Sequence, residues 1–268
     1  MPEDCGAGGK PLWNSLWNLL YRVVSLNDHS RTAWGAILRG ACLAFFKETY
    51  DDLPAEDNEG ARRVLKDLFF GLPDHRVYGL YEFLLTDDRA GLKEVDRKLL
   101  RRSLNRVLEE EGAPVRLLRD RFVPLPDELG LDAVMTAGEN LSLFTLDAAA
   151  RHMNSSVEFL ARRPSPASRE AVREAVIAVA AVVRTLVGGS GPVAMGTVSP
   201  AAERLGIPPE LHEGINAMLG YCHSVSGLRE KANDAHVPNL SEAACLVSFC
   251  SSVINLLLER EREKGRDS

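Results

Sequence analysis

Apolar residues recur three and four positions apart along most of this chain, a spacing that predicts helices with one buried face. In the N-terminal part, the pattern predicts helices over residues 12–24, 33–46, 59–70, 76–85 and 92–108. Gly112 and Pro114 then favour termination, because glycine adopts the left-handed turn beyond a helix and proline cannot extend one. The N-terminal region is therefore predicted to be helical as far as Gly112.

Residues 115–125 break this pattern and read Val-Arg-Leu-Leu-Arg-Asp-Arg-Phe-Val-Pro-Leu. Two short apolar stretches flank Arg119 and Asp120, and prolines at positions 114 and 126 bound the segment. Short apolar runs on either side of turn-forming residues are typical of paired strands. The segment therefore predicts a small β-hairpin.

A second change of pattern lies near the middle of the chain, where residues 126–141 are weakly patterned and contain two glycines. Such a stretch is typical of a connection between compact domains. We therefore predict a helical N-terminal domain over residues 1–126 that ends in the hairpin. A linker over residues 127–142 and a C-terminal domain over residues 143–268 are predicted to follow.

Helical spacing dominates again in the C-terminal region. It predicts helices over residues 143–160, 171–187, 201–205, 209–221, 226–235 and 241–262. Ser165 and Pro166 are suitable residues to open the second of these helices. Residues 175–183 are apolar all round, as in a helix at the centre of a bundle or of a dimer interface. The predicted fold class is therefore all-α, with a helical N-terminal domain, a small β-hairpin and a C-terminal helical bundle.

Composition and charge narrow the class of protein. The chain has 268 residues, of which 45% are apolar and 26% charged, which favours an ordinary globular protein over a disordered or fibrous one. We expect no secretory signal at the N-terminus, and we expect no strongly apolar run to reach the roughly 18 residues that span a membrane. We therefore expect a cytoplasmic protein without membrane contact.

The odd number of cysteines, with no Cys-x-x-Cys pair, favours reduced thiols over a disulfide framework or a zinc site.

A nucleic-acid contact would need a local basic patch, because the net charge is −6. Residues 89–121 supply one candidate, with ten basic and six acidic side chains. Arg97, Lys98, Arg101 and Arg102 are the cations at helical spacing that we assign as candidate RNA-binding residues. The competing interpretation is an ordinary solvated helix face.

The motif with the clearest chemistry consists of Arg229 and His236. Seven residues turn a helix by about 700°, so both side chains are expected on nearly the same face, about 10 Å apart along the axis. Cleavage of RNA without a metal needs an imidazole to transfer protons and a guanidinium to stabilise the pentavalent phosphorane. Pro238 disfavours a helical conformation at Val237, which predicts that His236 lies near a helix C-terminus.

Spacing alone also fits a structural role for Arg229 and His236, in helix capping and ion pairing.

Arrangements typical of serine hydrolases and zinc enzymes are absent from the sequence, and the acidic residues do not cluster as metal ligands do. We therefore expect neither a metal ion nor an organic cofactor.

Residues 228–236, Leu-Arg-Glu-Lys-Ala-Asn-Asp-Ala-His, resemble the Leu-Arg-Asn-Lys-x-Gly-x-x-His core of the abortive-infection C-terminal domain. That domain is a branch of the HEPN superfamily, whose signature is an arginine followed after four to six residues by a histidine. Residues 173–182, 211–221 and 239–257 resemble successive segments of the C-terminal half of AbiJ-like phage-resistance proteins, in the same order. Residues 13–20, 45–46, 77–85 and 104–111 are similar to the helical N-terminal domain attached to it.

The resemblance implies a HEPN-like C-terminal bundle that forms a homodimer and brings two Arg-His pairs into one cleft. It further implies metal-independent cleavage of single-stranded RNA, in phage defence by abortive infection or as a toxin. An antitoxin or a partner protein of a defence system is then expected. The alternative is a non-catalytic HEPN-like module that binds RNA, a nucleotide or a protein.

Two positions depart from the family pattern. Glu230 stands where Asn, Asp or His usually follows the arginine, and Val237 replaces the glycine after the histidine. We assign Glu230, Lys231 and Asn233 as substrate-positioning or regulatory residues. One hypothesis is latency: Glu230 pairs across a two-fold axis with Arg229 of the partner subunit and keeps the cleft closed. The alternative is that Glu230 only faces solvent.

Overall fold

The computed structural model describes residues 9–27, 32–49, 51, 53–54, 56–125, 127–188, 196–227 and 236–266. Within these ranges the chain forms eleven α-helices and one two-stranded sheet. The prediction of an all-α fold with a small β-hairpin is confirmed at this level. The chain divides into two compact units, Met1–Phe122 and Val123–Ser268.

The first unit contains the five helices that the sequence predicted. They are α1 (Lys10–Ser25), α2 (Trp34–Gly40), α3 (Asn58–Phe70), α4 (Asp74–Thr86) and α5 (Glu94–Glu110). Helix α2 continues directly into a π-helical segment, Ala41–Phe46, and a short 3₁₀-helix, Asp88–Ala90, precedes α5. Tyr81, fully buried in the core, donates a hydrogen bond of 2.6 Å to the carbonyl of Leu16 and ties α4 to α1.

The hairpin consists of β1 (Arg116–Leu118) and β2 (Arg121–Val123), as predicted. Its turn residues, Arg119 and Asp120, have φ values of 49° and 63°. A left-handed conformation at both central residues matches the right-handed twist of the two strands. Asn105 of α5 holds the hairpin, because its side chain accepts from the N–H of Leu117 (2.6 Å) and donates to the carbonyl of Leu117 (3.0 Å).

Residues 127–142 do not form a linker, so that prediction was wrong. They belong almost entirely to α6 (Glu128–Leu143) of the second unit. Asp127 caps this helix by accepting a hydrogen bond of 2.6 Å from the N–H of Gly130. The helix buries Leu131, Val134, Ala137 and Leu141, at a spacing of three and four residues. Two glycines weaken the helical pattern in the sequence, but burial of this face stabilises the helix.

The rest of the second unit contains five helices. They are α7 (Asp147–Ala161), α8 (Ser168–Leu186), α9 (Ser199–Leu205), α10 (Pro209–Val225) and α11 (Leu240–Arg266). Helix α8 lies at the centre, in contact with α7, α9, α10 and α11, and buries nine of its side chains. Its apolar surface is therefore used inside the unit, as the prediction of a bundle centre requires.

Two predicted helix boundaries in this unit need correction. Helix α8 begins at Ser168 and not at Ser165, because the N–H of Ala167 still bonds to the carbonyl of Phe159 in the connection. Ser226 and Gly227 form a turn after α10, and residues 228–235 of the helix predicted over 226–235 lie outside the described residues.

Helix α11 is long and apolar enough to cross a membrane by length and composition alone, and half of its most apolar stretch is buried inside the unit. Its uncharged run between Glu242 and Glu259 has 16 residues, close to but below the roughly 18 that span a membrane. The helix packs against α6 and α8, and it buries Ile254, Leu257 and Leu258. These contacts are those of the core helix of a bundle.

Candidate functional site

His236 is the member of the predicted catalytic pair that the structure describes. Arg229, Glu230, Lys231 and Asn233 lie outside the described residues. The pairing of Arg229 with His236 therefore stays a prediction, as does the latency hypothesis for Glu230.

The imidazole of His236 contacts the carboxylate of Glu242, with 2.8 Å between Nε2 and Oε2. Glu242 lies in the first turn of α11, where its Oε2 also accepts a hydrogen bond of 2.8 Å from the N–H of Asn239. In return, Asn239 Oδ1 accepts a hydrogen bond of 2.9 Å from the N–H of Glu242. This reciprocal pair is a capping box, which satisfies N–H groups that would lack a partner at the start of a helix.

His236 contacts the N-terminal cap of α11. The helix whose C-terminus was predicted near His236 would lie in residues 228–235, outside the described residues, so that prediction stays open. The contact with His236 and the hydrogen bond from Asn239 lower the pKa of the Glu242 carboxyl below its usual range. The anion that the structure places beside the imidazole is the side-chain carboxylate of Glu242.

This arrangement fits both interpretations of His236 that the sequence left open. As a structural contact, the imidazole adds one further partner to the capping box. As a catalytic contact, the carboxylate fixes the ring through Nε2, and Nδ1 remains the nitrogen outside this contact. The side chains of His236 and Glu242 are 56% and 40% exposed, so a large ligand can reach them.

A second feature of this unit consists of two arginines on α8, Arg169 and Arg173, one helical turn apart. Both are half-buried and lie beside the turn that follows α10. Arg173 Nε donates a hydrogen bond of 3.2 Å to the carbonyl of Ser226. Sequence reasoning missed these residues, because 53 positions separate Arg173 from Ser226.

The four cations assigned to RNA binding have different environments in the structure. Arg97 is buried and donates to the carbonyl of Asp87 at 2.6 Å. Arg101 binds both carboxylate oxygens of Asp120, at 2.7 Å and 3.1 Å, and so joins α5 to the hairpin. Lys98 and Arg102 are exposed. The four cations therefore do not form one open surface, since two of them stabilise the first unit.

His152 of α7 and Glu174 of α8 form another imidazole–carboxylate pair, with 2.6 Å between Nδ1 and Oε2. The two side chains are 39% and 21% exposed. No sequence motif links residues 22 positions apart on two helices, so only the packing of α7 on α8 reveals this pair.

The buried cysteines of this unit include Cys222 of α10 and Cys250 of α11. The hydrogen bond with the Cys222 thiol, together with burial, raises the pKa of Cys250 well above its usual range. Among the residues that the structure describes, no group of three or more His, Cys, Asp or Glu side chains is arranged to hold a metal ion.

Comparison of the chain with protein-family models, with curated proteins and with solved structures gave no match.

Proposed function

We propose that this protein is a metal-independent endoribonuclease of the HEPN type that cleaves single-stranded RNA, in phage defence or as a toxin. The observation that carries the proposal is the contact between His236, the last residue of the Arg-His motif, and Glu242. Both side chains are exposed. A histidine that acts on a phosphodiester needs a fixed ring and access to the substrate. The contact with Glu242 fixes the ring and leaves the imidazole exposed.

In the proposed reaction, the 2′-oxygen of a ribose attacks the adjacent phosphorus and loses its proton. The bond between phosphorus and the 5′-oxygen breaks, and that oxygen takes up a proton. The products are a 2′,3′-cyclic phosphate and a free 5′-hydroxyl group. His236 transfers a proton, and the guanidinium of Arg229 stabilises the negative charge that develops on the phosphorane.

Cleavage of a fluorescent single-stranded RNA by the purified chain in EDTA tests this function. We expect a 2′,3′-cyclic phosphate product, and a loss of at least about a hundredfold in rate for His236→Ala, the lower range for a general acid or base. His152→Ala is the matched control, because it removes another half-exposed imidazole that contacts a glutamate in the same unit. Equal cleavage by both variants would reject His236 as the catalytic residue.

The second candidate function is a non-catalytic module that binds RNA, a nucleotide or a protein. The half-buried arginines of α8 favour RNA or a nucleotide over a protein within this class. Expression in bacteria separates the two functions: toxicity that His236→Ala abolishes supports the ribonuclease, and equal growth of both strains supports the binding module. We further propose that the chain acts as a homodimer in the cytoplasm, with an antitoxin or another defence protein as partner.

A further inference from the structure

Helices α1 and α5 of the first unit pack against each other and share one exposed surface. Ser15 of α1 donates a hydrogen bond of 2.6 Å to Glu111, the C-cap of α5. At the other end, Asn27 follows α1 and donates a hydrogen bond of 3.2 Å to Asp96 in the first turn of α5. These two contacts show that the helices are antiparallel, so the end of α1 lies beside the start of α5.

Three apolar side chains are exposed at this end of the two helices. Val95 and Leu99 lie one turn apart on α5 and are 45% and 37% exposed. Leu26, at the end of α1, is 63% exposed. It directly precedes Asn27, whose hydrogen bond to Asp96 holds this end of α1 at the turn that carries Val95. Burial of the three side chains against a partner would remove apolar area from water.

Three exposed cations accompany these apolar side chains. Lys98 and Arg102 share the exposed face of α5 with the two apolar residues, because residues three, four and seven positions apart lie on one face of a helix. Arg22, one turn before Leu26, is exposed in the last turn of α1. The three cations and the three apolar side chains define the α1–α5 face, which consists of Arg22, Leu26, Val95, Lys98, Leu99 and Arg102.

The acidic residues nearest in sequence to the cations of α5 are engaged elsewhere. Glu94, one turn before Lys98, is bound by Arg101 at 3.1 Å. Asp96 is buried and accepts a hydrogen bond of 2.5 Å from Thr32. Helix α1 contains no acidic residue. Among the residues that the structure describes, no carboxylate forms an ion pair with a cation of the α1–α5 face, which therefore keeps its positive charge.

We propose that the α1–α5 face binds an acidic amphipathic helix of a partner protein. The apolar residues of that helix cover Leu26, Val95 and Leu99, and its flanking carboxylates lie against the three cations. Charge complementarity selects an acidic partner, and the aliphatic side chains select a helix over RNA, whose backbone is bound by cations alone. The proposal concerns the first unit and does not depend on the ribonuclease, whose candidate histidine lies in the second.

Fluorescence anisotropy of the full chain with a synthetic peptide tests this face. The probe is a labelled peptide of about 16 residues, long enough to form a helix, with leucines along one side and glutamates at the flanking positions. Peptides with glutamine or lysine in place of glutamate are the matched probes. We expect the glutamate peptide to bind at least about fivefold more tightly than the glutamine peptide, and the lysine peptide to bind most weakly.

Two double variants separate the apolar part of the face from the charged part. Val95→Ser/Leu99→Ser should weaken binding of the glutamate peptide by at least about tenfold, because less apolar area is buried in the complex. Lys98→Glu/Arg102→Glu should reverse the preference, so that the lysine peptide binds more tightly than the glutamate peptide.

The matched control for the charge reversal is Arg63→Glu/Lys66→Glu. It makes the same change of net charge at exposed positions of α3, in the same unit, and should leave the preference among the peptides unchanged. Circular dichroism will show whether each variant folds. If the serine variant does not fold, the charge reversal still decides, because binding of the lysine peptide requires a folded chain.

Absence of binding by the glutamate peptide would overturn the proposal, as would equal affinity for the glutamate and glutamine peptides. A folded serine variant that binds like the parent would do the same. An unchanged preference after the charge reversal, or a reversed one in the α3 control, would also overturn it.

Two further probes identify the other classes of ligand. They are a labelled oligouridylate, with His236→Ala in each protein so that the RNA stays intact, and vesicles of phosphatidylcholine and phosphatidylserine. Binding of either probe that the charge reversal abolishes, without binding of the glutamate peptide, would assign the face to RNA or to anionic lipid and reject the proposal. Peptide binding by a chain that cleaves no RNA would reject the ribonuclease and retain this face, whereas cleavage without peptide binding would do the reverse.

Discussion

Glu242 determines the local structure around His236, because its carboxylate accepts a hydrogen bond from the N–H of Asn239 and contacts the imidazole. Both partners lower its pKa in the folded protein. A carboxyl group of this kind stabilises the native state above the pKa it has in the unfolded chain. That contribution is lost as the pH falls through the lower, folded value.

The variant Glu242→Gln tests this linkage, since glutamine can still accept from Asn239 but carries no charge. We expect this substitution to lower Tm at neutral pH, and the difference from wild type to shrink as the pH falls below about 4.3. Thermal unfolding followed by circular dichroism from neutral to acidic pH measures this. Glu158→Gln, at an exposed position on α7, is the control. A difference that stays constant across this pH range would contradict the expectation.

Glu230 is the residue for which the family resemblance and this sequence disagree most. If its carboxylate holds Arg229 of the partner subunit, removal of the charge opens the cleft, and Glu230→Asn also restores the more common family residue. We then expect a marked rise in RNA cleavage or in toxicity for this variant. Unchanged or reduced cleavage would reject latency and leave the ribonuclease proposal intact.

Helix α6 provides a prediction at the scale of an element, because it contains two leucines in opposite environments. Leu141 is fully buried and Leu143 is 74% exposed. We expect Leu141→Ala to lower the free energy of unfolding by about 2–5 kcal/mol through lost burial and a residual cavity. The matched variant Leu143→Ala should change it by less than about 0.5 kcal/mol. Denaturant titration of both variants measures the difference; similar small effects would mean that residues 127–142 behave as the linker first predicted.

The elements that the sequence predicted are those whose signal lies within one short stretch of the chain. Helical periodicity defined α1 to α5, and turn residues between two apolar runs defined the hairpin. Helix α6 was missed because Gly130 and Gly138 weaken its pattern, and because α11, against which it packs, begins 97 positions after α6 ends. Long-range packing of this kind leaves little local signal.

The candidate site was only partly predictable for the same reason. The motif identified His236, but the spacing of the motif does not point to Glu242 as its partner. The contact between His152 and Glu174 and that between Arg173 and Ser226 each join separate elements, so they emerge only from the fold. The ion pairs of Arg97 and Arg101 likewise depend on residues that the fold brings near.

At the scale of the whole molecule, the predicted homodimer needs an interface other than the apolar centre of α8. That helix buries its apolar residues against four neighbours within one chain. We expect light scattering at micromolar concentration to give twice the chain mass of 29.4 kDa. A single-chain mass would contradict the composite cleft of two Arg-His pairs, because each chain would then have to act alone.

The capping box also makes α11 a reporter of what happens at His236. Any ligand that draws the imidazole away from Glu242 changes the contacts of the carboxylate that accepts a hydrogen bond from the N–H of Asn239. The N–H of Ala243, which donates to the carbonyl of Asn239, lies in the same turn. Local opening of a helix end is visible in the exchange of its amide hydrogens with solvent. The exchange rates of the first turn of α11 therefore record occupancy of His236 even in a protein that cleaves nothing.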